Sequence, residues 1–168
     1  MSNTDDFRAA MQRFAASATA ITTLDDGAFA GLMATAVCSL SADPPSLVVC
    51  VNREATAHDA ILRSGILGVS LIPDNAEELA LHFAQTKGMA RFEKGNWAAL
   101  ETGAPILLDA PVAFDCRISQ VYDGYSHSII VADIKAFHFA EPSDLDCLIW
   151  YRRAFARLSK PACAPASA

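Results

Sequence analysis

The stretches VAFDCRISQVY (residues 112–122) and SIIVADIKAFHF (residues 128–139) decide the fold. In the first, Phe114, Cys116 and Ile118 alternate with Asp115, Arg117 and Ser119, the two-residue period of a strand with one apolar and one polar face. Working outward, Thr19, Ile21 and Thr23 alternate with Ala20 and Thr22, Asp25-Asp26-Gly27 supplies a hairpin-type turn, and Phe29 to Ala36 returns as a second β-prone run. Ser46 to Val51, after Asp43-Pro44-Pro45, reads as a strand buried on both faces. Ile66 to Ile72 and Leu148 to Tyr151 add two more strands.

Helical spacing is confined to short pieces. Phe7, Ala10, Met11 and Phe14 fall at i, i+3, i+4 and i+7 behind Thr4 or Asp5 as a cap, which predicts an amphipathic helix. A second helix is expected from Ala57 to Arg63, capped by Thr56 and ended before Gly65, and a third after Pro73-Asp74-Asn75, presenting Leu79, His82 and Phe83. The segment from Gln85 to Pro105 has no clear period and holds Gly88, Gly95 and Gly103, so it reads as a loop with a short helix near Trp97. Many β-runs, few short helices and no βαβ alternation predict a mainly β fold, an antiparallel β-barrel with peripheral helices.

The 168 residues suit one domain, expected over 1–160, with a disordered Ala/Pro/Ser tail over 161–168. Hydrophobic residues make up 52% of the chain and charged residues 19%, a composition for a packed globule. The mean hydropathy of +0.24 is high for a small domain, which leads us to expect a homodimer burying the excess. A net charge of −6 without a basic run argues against nucleic acid and anionic membrane as partners. The polar, acidic start and the lack of any apolar run near the roughly 20 residues of a membrane span point to a cytoplasmic protein. Five widely spaced cysteines (Cys38, Cys50, Cys116, Cys147 and Cys163) fit reduced thiols, and no metal site is expected.

General catalytic signatures are absent: no Gly-x-Gly-x-x-Gly, no phosphate-binding Gly-Lys-Ser/Thr loop, no Gly-x-Ser-x-Gly and no His-Glu-x-x-His. His58, His82, His127 and His138 lack ligand spacing and read first as surface or hydrogen-bonded residues. Spacing alone leaves the function open.

Three segments, however, occur in a telling order: Phe7-Arg8-x-Ala-Met-x-x-Phe14, Ala34-Thr-Ala-Val-Cys-Ser39-Leu-Ser41-x-Asp-Pro-Pro45, and Arg91-Phe92-x-x-x-x-Trp97. In this order the chain resembles the short-chain NAD(P)H:flavin reductase family over about Phe7 to Leu158. Val49-Cys50-Val51-Asn52-Arg53, Phe114 to Val121, Leu148-Ile-Trp150 and Lys160-Pro-Ala-Cys163 look like its pyrimidine-utilisation branch. The resemblance implies an FMN-binding split barrel, usually a homodimer with flavin near the subunit interface. It also implies an enzyme, an NAD(P)H:flavin oxidoreductase that reduces FMN (or FAD) with NADH or NADPH and supplies a separate flavin-dependent monooxygenase. The alternative is a non-catalytic flavin-binding or flavin-carrier protein of the same fold. An oxidase of the pyridoxamine-phosphate type shares the architecture but matches these segments less well.

The resemblance also assigns residues. Met33, Ala34, Thr35, Cys38 and Ser39 are expected along the flavin, where amides and hydroxyls suit its polar edge and ribityl chain. Asn52, Arg53 and Thr56 fall where the family holds the flavin phosphate, just before a helix N-terminus, and Cys50 and Val51 beside them are also expected at the flavin. Phe83, Lys87, Arg91 and Phe92 are expected to neutralise phosphate and cover an aromatic ring, and Trp150 to lie near the flavin. Ser126 and His127 are expected on the nicotinamide side, with His127 a possible catalytic residue. Here the chain departs from the family's Gly-Asp-His element, reading Tyr125-Ser126-His127.

Overall fold

The computed structural model describes residues 4–141 and 145–158. Cys163 and the expected tail at 161–168 lie outside them. The elements in chain order are α1 (Thr4–Met11), β1 (Ala16–Ser17), β2 (Thr19–Asp25), β3 (Ala28–Ala34), β4 (Val37–Ala42), β5 (Pro45–Asn52), α2 (His58–Ser64), β6 (Ile66–Leu71) and α3 (Glu77–Gln85). A 3-10 helix (Gly88–Glu93) follows, then β7 (Trp97–Ala99), β8 (Pro105–Leu107), β9 (Ala113–Gly124), β10 (His127–His138), β11 (Ile149–Tyr151) and β12 (Ala154–Ala156).

The β2–β3 connection forms as its sequence dictates. Asp26 (φ 49°) and Gly27 (φ 77°) both take positive φ, the backbone of a two-residue hairpin turn whose twist matches its strands. The principal sheet has seven antiparallel strands in the order β3-β2-β6-β9-β10-β5-β4. Leu32 and Ala34 from β3 and Val37 from β4 pack against one cluster with Ile21, Val49, Val51, Leu67, Val69, Cys116 and Ile130, although β3 and β4 are opposite edges. The sheet therefore curls. Each large aliphatic side chain removed from water there contributes about 1.5–3 kcal/mol, enough for burial rather than strand pairing to set the curvature.

A second cluster lies on the other side of β2 and β6. It joins Ala18, Ala20 and Ile72 to Ala80 and Phe83 of α3, Ile106 and Leu107 of β8, and Leu148, with Met33, Phe92, Trp97 and Phe155 packed against it. A small sheet of β1, β11 and β12 and the β7–β8 pair flank this layer. The structure is thus mainly β, with antiparallel sheets and three short α-helices among the described residues. No described helix is long and apolar enough to cross a membrane.

Several expectations need correction. Helix α1 ends at Met11, before Phe14, and buries none of its residues. Thr56 does not cap α2, whose N-cap position is Ala57 with no side-chain hydrogen bond. The helix does end at Gly65, in the left-handed region (φ 68°) that glycine enters without a Cβ penalty. Trp97 lies on β7, and the helical turn in that segment comes earlier, at Gly88–Glu93. Strand β5 is not buried on both faces: Leu47, Val49 and Val51 point into the core while Val48 and Cys50 are half-buried. Asp115, expected on a polar face, is fully buried because its carboxylate accepts the Thr102 N–H (2.7 Å) and the Thr102 hydroxyl.

All four histidines are hydrogen-bonded. His82 Nε2 meets the Ala90 carbonyl (2.8 Å), His138 Nε2 the Leu108 carbonyl (3.0 Å), and His127 Nδ1 the Ser126 hydroxyl (2.9 Å). His58 is buried between the Asp59 carboxylate (2.7 Å) and the Ser128 hydroxyl (2.9 Å), tying α2 to the start of β10.

Candidate functional site

A cleft of about 370 Å³ opens where the curled sheet meets the second layer. Leu32, Met33 and Ala34 at the end of β3 and the linking residues Thr35 and Ala36 form one wall. Cys50 and Asn52 of β5 and His127 of β10 form the next, brought together because His127 pairs with Asn52 across the sheet. Ala18, Ala84 from α3, Trp150 and Phe155 close it. Trp150 and Phe155 face one another across β11 and β12, with ring centroids 5.1 Å apart.

The lining is apolar with a few polar groups at one side, the usual make-up of a small-molecule site. Ala34, Thr35 and Ala36 bring only small side chains to the lining, and Thr35 is exposed. Asn52 accepts the Glu54 N–H through Oδ1 (2.9 Å), an interaction that orients its amide. Burial, followed by the neighbouring Cys38 thiol, pushes the Cys50 thiol above its ordinary value, so Cys50 faces the cleft as a neutral thiol. Among the described residues, no cluster of histidine, cysteine and acidic side chains could hold a metal ion.

Of the residues expected at a flavin, Met33, Ala34, Thr35, Cys50, Asn52 and Trp150 line the cleft, as does His127 from the nicotinamide pair. Cys38 and Ser39 are exposed on β4 beyond the lining, and Thr56 and Lys87 are exposed away from it. Arg53 sits beside Asn52 but its guanidinium is paired with Asp123 (2.8 Å) on the surface. Ser126 stands behind His127, holding its ring through Nδ1.

Val51 and Phe83 correct the expectation, since both side chains are fully buried. Phe83 stacks on Trp97 (5.3 Å) and meets Phe92 edge-on (5.4 Å), so Phe92 is also tied into an aromatic cluster. Arg91 is buried, with its guanidinium donating to the Phe83 carbonyl near the end of α3 and lying 5.5 Å from the Phe83 ring. It satisfies a helix-end carbonyl, and burial lowers its pKa. Ala18, Leu32, Ala84 and Phe155 line the cleft without any expectation from the sequence. No local pattern marks them, because an alanine beside a ligand looks like an alanine in a core.

The thiols give a direct check on this geometry. Cys116 is fully buried, and desolvation, followed by the charges of Asp115 and Asp133, pushes its thiol up to about 12. An alkylating reagent at pH 8 should modify exposed Cys38 in the native protein and reach Cys116 only after denaturation, as peptide mass mapping would record. Native labelling of Cys116 would contradict the packing described.

Comparison with known proteins agrees with this architecture. The profile described as "Flavin reductase like domain" matches residues 11–159, and the chain belongs to that family. It is 42% identical over 130 residues to FMN reductase (NADH) RutF of Agrobacterium fabrum, covering 77% of this chain and 75% of that protein. With FMN reductase (NADH) RutF 2 of Methylorubrum extorquens it shares 39% identity over 156 residues, 92% of this chain and 90% of the relative. Among solved structures it is similar to BorF, the flavin reductase component of a bacterial two-component tryptophan halogenase. That match has a TM-score of 0.84 and 28% identity, over 95% of this chain and all of BorF.

Proposed function

We propose that this protein is an NADH-dependent flavin reductase that reduces FMN and passes it to a separate flavin-dependent monooxygenase. The carrying observation is the cleft itself, in which Met33 to Ala36, Cys50, Asn52, His127 and Trp150 converge in a chain of the flavin reductase family. The two relatives named FMN reductase (NADH) support FMN and NADH over FAD and NADPH. The fold reads as a single split-barrel domain, cytoplasmic and dimeric, in which exposed Phe7, Phe14, Phe137 and Phe139 would supply apolar surface for a second copy.

The lining fits a flavin. Apolar walls suit the flat ring system, and the Thr35 hydroxyl, the Asn52 amide and the backbone at Ala34 to Ala36 suit its polar edge. A bound flavin supplies the electron chemistry, accepting a hydride from the nicotinamide of NADH. The chain's own work is positional. Leu32, Met33, Trp150 and Phe155 supply apolar walls that would shield a bound flavin, and His127, steadied by Ser126, is the lining residue this reading assigns to the nicotinamide side. No acid–base pair is needed in such a scheme.

Arg53 is the phosphate ligand in this reading, exchanging part of its contact with Asp123 for the flavin phosphate. Arg53→Ala should weaken FMN binding about tenfold, the lower part of the range for a charged hydrogen bond at a half-exposed site, and leave riboflavin binding unchanged. Fluorescence titration with both flavins checks this, and equal losses for the two would remove Arg53 from the phosphate site.

The activity is tested by following NADH and NADPH oxidation at 340 nm with FMN, FAD or riboflavin added. Flavin-dependent turnover is expected, fastest with NADH and FMN. Bound flavin without turnover would identify a flavin carrier, and failure to bind flavin would overturn both readings.

A further inference from the structure

We propose that His58 is a positioning residue for the flavin, pinning the corner of the sheet that carries Asn52 into the cleft. The proposal rests on the reductase reading above and adds to it a residue that touches no ligand.

Asn52 ends β5 and His127 begins β10, the two pair across the sheet, and both line the cleft. Strand alternation turns the next residue, Ser128, to the opposite face, where it is buried. There its hydroxyl meets His58 Nε2 (2.9 Å), while His58 Nδ1 meets the Asp59 carboxylate (2.7 Å). A carboxylate only accepts, so Nδ1 carries the proton and Nε2 of the neutral ring accepts the Ser128 O–H. The order serine, histidine, aspartate is that of a nucleophilic triad. Ser128 is only 3% exposed, however, and is not part of the cleft lining, so no substrate reaches its hydroxyl.

The place of this relay in the chain gives it a different task. From Asn52 the backbone leaves β5 through a tight turn and enters α2 at His58. Asn52 bonds twice within that turn: its side-chain Oδ1 accepts the Glu54 N–H (2.9 Å) and its carbonyl accepts the Ala55 N–H (3.0 Å). The Ala55 carbonyl in turn accepts the His58 N–H (2.9 Å). The Asn52 amide is therefore oriented by the turn, and the turn by where α2 starts. No side chain caps α2. The beginning of the turn is tied to the β10 side by the Arg53 N–H on the Ser126 carbonyl (3.0 Å), and its end by His58 on Ser128. Among the described residues, no other side-chain hydrogen bond joins α2 to β10.

An apolar residue would fill the same space without the cost of desolvating an imidazole. What the imidazole adds is direction. With both ring nitrogens satisfied, the buried relay holds α2 against β10 in one arrangement, and the Asn52 amide inherits that arrangement through the turn.

The test is fluorescence titration of the full chain with FMN and with riboflavin, beside thermal unfolding of each variant. His58→Leu combined with Ser128→Ala removes both ends of the bond, so no buried polar group is left unpaired and the fold is kept. Ser128→Ala alone is the milder change. Both should keep the unfolding temperature while weakening FMN and riboflavin alike by about fivefold, the worth of one neutral hydrogen bond. His58→Gln, whose amide can still accept from Ser128, should bind both flavins as the unmodified protein does. In an Asn52→Ala background the His58 and Ser128 changes should have no further effect on binding. Unchanged affinities in the folded variants would overturn the positioning role while leaving the reductase reading intact. Losses that follow the unfolding temperature, or that persist undiminished in the Asn52→Ala background, would overturn it as well. Failure of the unmodified protein to bind either flavin would overturn the reductase reading and the positioning role together.

Discussion

Phe83→Ala should destabilise the protein by about 3–5 kcal/mol, the largest effect we expect from any single side-chain truncation described here. Phe83 is fully buried at the centre of an aromatic group with Phe92 and Trp97, and its ring approaches Gly31 so closely that a Cβ on that glycine would stand 2.7 Å from it. The β3 backbone can come this near to α3 only because residue 31 has no side chain. Truncation leaves a cavity between two elements that hold the cleft wall, since Met33, Ala34 and the neighbouring Ala84 all line it. Thermal unfolding should therefore shift by roughly 10 °C or more for a domain of this size. Phe83→Leu should recover most of that loss. Unfolding temperature is the deciding measurement: a variant with an unchanged midpoint but weakened flavin binding would return Phe83 to the cofactor site.

Gly68→Ala should cost about 2–3 kcal/mol, for the opposite reason. Gly68 on β6 faces the Pro105 carbonyl and the Thr22 hydroxyl, and a methyl group would be forced against both. Thr22 donates to that same carbonyl, so the displacement also disrupts a fully buried hydrogen bond. Backbone atoms cannot swing aside as a flexible side chain can, and β8 must move away from β6 as a body. Denaturant unfolding should show a lower midpoint with an unchanged slope. A neutral Gly68→Ala would mean that the β6–β8 approach is looser than described.

The two substitutions touch residues that read differently in the sequence. Gly68 sits inside an unremarkable β-run, with nothing nearby to reveal a crossing strand 37 residues later. Phe83 was expected beside the flavin through the company of Lys87, Arg91 and Phe92. In the structure Arg91 turns back to the end of α3 and Phe92 closes the aromatic group, so two of these positions serve packing. A phenylalanine that stacks on a ring and one that fills a core have the same local sequence, and the distinction is made by what arrives from elsewhere in the chain.

The strands, their alternation and the Asp26-Gly27 turn were legible because each depends on neighbours in sequence: side-chain period, turn sterics and the freedom of glycine at positive φ. The segment Met33 to Thr35 with Cys50, Asn52, His127 and Trp150 was legible through resemblance in order and spacing, and these residues converge on one cleft. The β11–β12 hairpin was half-hidden, because its turn uses Arg152 (φ 51°) and Arg153 (φ 63°) where glycine or asparagine would have announced it. That hairpin delivers Phe155 opposite Trp150. Only the packing of the curled sheet against the second layer, driven by burial of side chains far apart in sequence, decides that Ala18, Leu32, Ala84 and Phe155 line one cleft. Local sterics write strands and turns into short stretches of sequence, whereas a cleft is the space left when distant surfaces are withdrawn from water, and that becomes determinate only once the whole chain is packed.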